Sequence, residues 1–405
     1  MICNSNEEKL PMLFIPAVEQ SILGKGIFER EYAVYIHIPF CAGKCHFCSI
    51  PTTNSFNESV IDAYLDVLLS EMTKWKTMLF GSTITGVHIG GGTPSVLSAG
   101  QIKRLFDAII ENIGKEIPEI TFESNPASLT WEKTDVLAAY DNVTINMGIQ
   151  TFVPERLTGI NRYSNVEKIK EVIQYICGRT SLHFGIDLIV GLPDTKKDDY
   201  DVATDCIREL DIKNVFIYPY RLEENSFFFK NGRDSSVKGT DSLIDQMEYV
   251  ERLMLGLGFK SKTAYYWTKE RTPLYLYAMH QMNGKEWVGI GAGAYSYINK
   301  SVIYNKASVD EYVSGDSDFE GYPLRQNVSS QLIWDMTFMI KKTGFDYERI
   351  SLKYGKIAVG YIRALTEKLV ENGYCGITDG KVYLTVKGKV MLDDVETIVR
   401  EVVLS

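Results

Sequence analysis

The chain contains no apolar run near the roughly 18 residues that mark a membrane-spanning helix. Its first residues, MICNSNEEKLPML, lack both the Lys/Arg start and the continuous apolar stretch of a secretory signal. Positive charge is in deficit: 43 Lys plus Arg face 52 Asp plus Glu, net −9. That balance argues against nucleic-acid binding as the main function, because neutralising phosphates requires a basic face. Seven Cys, an odd number with three crowded into eight residues, do not make a secreted disulfide framework. A reducing cytoplasm is the expected setting. Internal repeats and low-complexity linkers are missing as well. What is present is an ordinary globular composition, 45% hydrophobic and 23% charged, over 405 residues, long enough for two or three domains. Aromatic residues reach 12%, with 24 Tyr, which suits a flat or apolar ligand.

From residue 32 to about 222, short runs rich in Val, Ile and aromatics (32–40, 84–90, 120–124, 143–149, 182–192 and 215–222) alternate with amphipathic stretches. The spacing predicts helices over 58–75, 100–113 and 129–140. Six strands each followed by a helix make a parallel α/β sheet, doubly wound or a partial barrel, with ligands at the C-terminal strand ends in either case. Beyond 235 the pattern predicts a helix near 240–256, a strand over 259–266 and a glycine-containing run over 287–298. Helices over 332–341 and 358–372, a hairpin turning at Asp379-Gly380 and a last helix from 390 then resemble a winged-helix unit. Its near-balanced charge favours packing or substrate covering over DNA binding.

Two motifs carry chemistry. In YIHIPFCAGKCHFC, Cys41, Cys45 and Cys48 are soft ligands on one loop, able to cap three irons of a four-iron cluster and leave the fourth open. A zinc site would need a fourth ligand, for which His46 and His37 are the nearby candidates. In VHIGGGTPSVL, three consecutive glycines after a strand give unhindered amides, without the Lys-Ser/Thr of a P-loop. A third glycine pattern, GIGAGA at 289–294, fits a dinucleotide fingerprint. The alternating YSYI after it reads as a strand where that fingerprint opens a helix. His280 and Tyr265, Tyr266, Tyr275 and Tyr277, just upstream, read as aromatic packing or as cover for a flat substrate.

The triplet with GGGTP resembles the radical S-adenosylmethionine (SAM) superfamily. ESNPASLT (123–130), MGIQTFVPERLTGINR (147–162), DLIVGLP (187–193) and GIGAGAYS (289–296) narrow the likeness to the oxygen-independent coproporphyrinogen III oxidase family (HemN/HemW-like). That family includes haem chaperones, haem-degrading methyltransferases and class C methylases and cyclopropanases. The resemblance implies a partial (β/α)6 TIM-like barrel over 32–225 after an N-terminal extension (1–31). A C-terminal α+β lid (226–325) and a winged-helix-like terminal domain (326–405) would follow. It implies a [4Fe–4S] cluster on Cys41, Cys45 and Cys48, closed by SAM and reduced by a flavodoxin or ferredoxin to give a 5′-deoxyadenosyl radical. Tyr35 and Glu123 would serve catalysis and SAM binding. Phe47 would pack near adenine, and Gly91, Gly92 and Thr93 would meet the methionine portion through backbone amides. Gln150, Arg162, Asp187 and Pro219 would line a second SAM, with Tyr295 near the first.

The sequence departs from two branches. The decarboxylase carries a further Cys where Ile50 stands, and its N-terminal segment is longer. The haem chaperones carry a His-Asn pair before a Tyr-Trp, where this chain reads TAYYW at 263–267. The expected activity is therefore class C methyl or methylene transfer to an unsaturated aromatic, polyene or tetrapyrrole substrate. Oxidative decarboxylation of coproporphyrinogen and haem carriage are the alternatives.

Overall fold

The computed structural model describes residues 30–232, 239–271, 274–314, 320–323, 328–342 and 347–404. Six parallel strands alternate with helices: β1 (Glu31–Ile38), β2 (Thr83–Gly91), β3 (Ile120–Ser124), β4 (Val143–Gln150), β5 (Leu182–Val190) and β6 (Asn214–Pro219). In β1, Val34, Ile36 and Ile38 join the main core beneath the helices, and the alternate residues Ala33, Tyr35 and His37 face the other side. Helix Glu58–Leu79 starts where Asn57 accepts from Val60 N, and Ile61, Tyr64, Leu65, Leu68, Met72 and Trp75 bury its core face at helical spacing.

The remaining strands are β7 (Lys260–Ser261), β8 (Tyr266–Thr268), β9 (Trp287–Ile290), β10 (Tyr295–Ile298), β11 (Ser301–Tyr304) and β12 (Glu320–Pro323). They extend both edges of one sheet, ordered β12-β11-β10-β9-β1-β2-β3-β4-β5-β6-β8-β7. β9 pairs with β1 in parallel, giving seven parallel strands flanked by antiparallel edges. The sheet is strongly curled. Flat, β1 and β6 would lie about 24 Å apart. Yet Tyr275 reaches β4, β5 and β6, while Tyr277, two residues on, stacks against β1 and β2.

Residues 328–342 and 347–404 build a second core from helices Val328–Met339, Tyr347–Tyr354, Lys356–Glu371 and Leu392–Leu404 and a hairpin, β13 (Cys375–Thr378) and β14 (Lys381–Leu384). This unit bridges the two edges of the open sheet. On one side Trp334 stacks with Trp287 of β9 (6.0 Å, 14°) and against Tyr297 of β10. On the other, Tyr265 donates to Lys389 O, Lys389 lies over Trp267 of β8, and Arg221, just past β6, pairs with Asp393.

Two stretches differ in detail from the sequence pattern. The 259–266 run is broken, because Ala264 N binds Lys341 O of the terminal unit and Thr263 Oγ1 accepts from Tyr266 N. The 287–298 run folds back on itself between β9 and β10. Gly291 (φ +105°) turns the chain there, its amide held by Glu71 and the Ala292 amide by Tyr64. A Cβ at Gly291 would lie 2.6 Å from Tyr64 Oη, so this pattern serves a pinned turn, followed by the strand its alternation indicates. The 226–325 stretch divides. Residues 260–268 and 287–304 widen the sheet, 227–230 lies against the cysteine loop, and 274–281 crosses the N-terminal end of the strands.

Candidate active site

The C-terminal ends of β1 and β2 bring the two motifs together. Cys41 Sγ lies 3.2 Å from Thr93 Oγ1, and Cys45 Sγ accepts from Arg162 Nη1 at 3.2 Å. Cys45 is buried and Cys41 and Cys48 are partly so; burial, with the neighbouring thiols, pushes the Cys48 thiol up. Thiols in this setting are soft donors with a guanidinium beside one of them, the chemistry that an iron–sulfur cluster uses. The two histidines considered as a fourth zinc ligand each have their Nδ1 engaged elsewhere. His46 Nδ1 faces Gly159 O at 3.0 Å and His37 Nδ1 faces Tyr35 Oη at 2.9 Å. Among the described residues no three His, Cys, Asp or Glu side chains converge on a single ion.

The glycine triplet is dictated by close approach. A Cβ at Gly92 would meet Phe40 O at 2.5 Å, one at Gly91 (φ +111°) the His37 ring at 2.5 Å, and one at Gly90 the Glu123 carboxylate at 2.8 Å. The amides expected to meet a ligand carboxylate are otherwise engaged. Gly92 N binds Ile38 O, Thr93 N binds Phe40 O, and Gly91 N points to Glu123 Oε2 at 3.3 Å. What this loop offers is the Thr93 hydroxyl and the shape of its turn.

The concave face holds the other candidates. Glu123 Oε1 accepts from His88 Nε2 at 3.0 Å, and its side chain stays 37% exposed, so lone pairs remain for a ligand donor. Tyr35 stacks on His88 (5.8 Å, 17°), and burial pushes its phenol far above the usual range. Gln150 sits at φ +71° on a register shift of β4, its amide beside Gly148, whose carbonyl accepts from Arg162. Asp187, on the neighbouring strand, accepts from Asn146 Nδ2 at 2.9 Å; burial raises its carboxyl to about 6, against the lowering effect of Asn146. Arg162 thus turns to the cysteine loop and Gly148 and forms no ion pair with Asp187. Pro219 closes β6 opposite Val190. Phe47 packs on Ile160, Leu192, Tyr220 and Phe228, and Tyr295 lies against Trp287 on β10.

Residues beyond those expected complete the lining: His88, Asn146, Thr121 and Tyr218. Tyr218 keeps 37% of its surface accessible, and surrounding protein drives its phenol far up. It is stacked with Phe216 (5.7 Å, 7°), which is itself buried against Tyr266 and Tyr275, and tilted by 42° to Tyr265 (5.3 Å). Thr121 Oγ1, fully buried next in register to His88, has no hydrogen-bond partner. His88 and Thr121 share strand parity with Tyr35 and Glu123, the one sequence signal that could have found them. Of the upstream aromatics, Tyr275 and Tyr277 enter the concave face, and His280 is fixed between Thr85 Oγ1 (2.8 Å) and Glu286 O (2.7 Å).

Residues 35–206 match the family model of the radical SAM superfamily. The chain is similar to the haem chaperone HemW of Bacillus subtilis, 26% identical over 389 residues, covering 90% of this chain and 97% of that protein. The oxygen-independent coproporphyrinogen III oxidase of Escherichia coli is 31% identical over 195 residues, 47% of this chain and 42% of that one. The solved structure of coproporphyrinogen III oxidase (HemN) from Escherichia coli superposes with a TM-score of 0.76 at 21% identity, over 96% of this chain and 92% of the other. That is the same fold.

Proposed function

We propose that this chain is a haem-handling protein of the chaperone type, whose residues 35–206 form a radical SAM domain binding a [4Fe–4S] cluster and SAM. Its substrate would be a planar tetrapyrrole received beside Tyr218 and Tyr265, the less buried aromatics at β6. The observation that carries this reading is the span of the haem-chaperone likeness, which takes in 90% of this chain and so reaches into the terminal unit beyond the core. No helix among the described residues is long and apolar enough to cross a membrane.

In this reading Cys41, Cys45 and Cys48 hold the cluster, and the bound groups supply an electron donor set against a cleavable sulfonium. The protein's part is placement. Glu123 offers its free lone pairs to ammonium or ribose hydroxyl donors, with Tyr35 beside it. Asp187 and Gln150 do the same for a second SAM, and Arg162, held by Gly148 O, lies beside Cys45. Phe47 narrows access between the cysteine loop and the segment around Phe228.

Oxidative decarboxylation of a porphyrinogen is the second reading, supported by the 31% identical stretch. It would have to bring a propionate toward Glu123 and Asp187, whose charge opposes it. Methyl transfer, which rests on the presence of Gln150, Arg162 and Asp187 without the decarboxylase Cys at Ile50, finds no support among the named relatives. The test is anaerobic titration of the cluster-loaded protein with haem, followed in the Soret region, beside incubation with SAM and coproporphyrinogen. Saturable haem binding without carbon dioxide release is expected. Carbon dioxide release with no haem binding would replace this reading by the second. Deuterium passing from the SAM methyl into 5′-deoxyadenosine would favour methyl transfer.

A further inference from the structure

Segment 274–281 lies across the N-terminal end of the curled sheet, on the concave side, in space left by two glycines. A Cβ at Gly86 would meet Tyr277 N at 3.1 Å, and one at Gly185 would sit 1.9 Å from Tyr275 Oη. Buried Glu119, just before β3, holds the segment by accepting from Tyr275 N (2.9 Å) and Leu276 N (2.6 Å). Tyr275 itself is in the left-handed region, φ +61°, a conformation that costs a bulky side chain and persists because these contacts fix it.

Two tyrosines rise from this segment, each beneath a different carboxylate. Tyr277 stacks on His88 (5.4 Å, 23°), which also stacks on Tyr35 and donates to Glu123 Oε1. Tyr275 donates its hydroxyl to Asn146 Oδ1 at 2.9 Å, and Asn146 Nδ2 donates to Asp187 Oδ1. The ionised Asp187 carboxylate can only accept, so the Asn146 NH2 faces it and the amide oxygen takes the Tyr275 phenol proton. Without the Tyr275 hydroxyl the amide oxygen loses this donor and its hold on the position of Asn146.

We infer that segment 274–281 is a common support that positions both carboxylates for SAM, Glu123 through Tyr277 and His88, and Asp187 through Tyr275 and Asn146. His88, Asn146 and the two tyrosines are positioning residues; they act through Glu123 and Asp187. The inference rests on the reading of those two carboxylates as SAM ligands.

The test uses the cluster-loaded full chain, with equilibrium binding of labelled SAM and the electron paramagnetic resonance of the reduced cluster as readouts. Tyr275→Phe removes one hydroxyl. It should weaken one of two SAM equivalents by about fivefold, the scale of one hydrogen bond between neutral groups. The change that SAM causes in the cluster signal should remain. Tyr277→Ala should weaken the other equivalent and blunt that change, and Tyr277→Phe, which restores the ring, should recover it. Unchanged affinity in both Tyr275→Phe and Tyr277→Ala overturns the inference. So does equal loss of both equivalents in either variant, the mark of general loosening. If the unaltered protein binds no SAM, the reading of the site fails first and the support role falls with it.

Discussion

The Thr93 hydroxyl lies 3.2 Å from Cys41 Sγ, so the glycine motif and the cysteine motif, 52 residues apart in the chain, share one contact at the mouth of the sheet. Replacing Cys41, Cys45 or Cys48 singly with Ala should abolish four-iron loading, read as iron and sulfide content and the visible absorbance of the anaerobically reconstituted protein. Ala at Cys177, Cys206 or Cys375, which lie elsewhere, should leave iron content unchanged. Retention of four irons by any of the first three variants would refute the assignment.

Gly92→Ala should destabilise the fold by about 1–3 kcal/mol, the range for overpacking, because the new Cβ would lie 2.5 Å from Phe40 O. Urea denaturation of the cluster-free protein measures this without involving SAM. Gly100→Ala, where a Cβ meets nothing within 4 Å, is the comparison that should not destabilise.

Asp187 should make the ligand-free protein less stable as pH rises. Its folded pKa, about 6, stands above the ordinary carboxylate value, so the folded state keeps a proton that the unfolded chain releases near pH 4. Stability from this group is complete below pH 4 and lost as pH rises through 6. Asp187→Asn should remove that dependence, gaining on the order of 2 kcal/mol over the unaltered chain at pH 7 and nothing at pH 4. A cationic ligand needs the ionised form, so SAM affinity should rise between pH 5 and 7 in the unaltered protein and stay flatter in Asp187→Asn. Binding isotherms at each pH check this.

Glu71→Leu should be more damaging than Glu71→Gln. The buried carboxylate accepts from Gly291 N, Asn305 Nδ2, Trp75 Nε1 and Tyr312 Oη, and Leu leaves all four donors without it. A loss of about 3 kcal/mol or more is expected for Leu, with Gln retaining part through its carbonyl. Thermal unfolding of the two variants gives the ranking.

The six core strands and the meeting of the cysteine loop with the glycine loop were legible because each is encoded locally. β-branched runs mark the strands, and Tyr35, Glu123 and Asp187 stand near strand ends beside recognisable motifs. The support under them was not. Tyr275 and Tyr277 look like any aromatic packing until Gly86 and Gly185, nearly 200 and 90 residues earlier, are seen to leave room for them. Likewise the 287–298 run reads as one strand, since the bend depends on Glu71 and Tyr64 from a distant helix. The parallel pairing of β9 with β1 has no local signal at all.

That pairing has a consequence for how the molecule is made. Tyr35 of β1 lies opposite His88 of β2 and also opposite Gly289 of β9, about 250 residues downstream. One flank of the strand that leads into the cysteine loop can therefore zip soon after synthesis. The other stays an open edge until most of the chain has emerged. For that interval the nascent chain presents an unpaired hydrogen-bonding edge beside the three cysteines, which makes the order of strand closure and metal loading a matter of timing during translation.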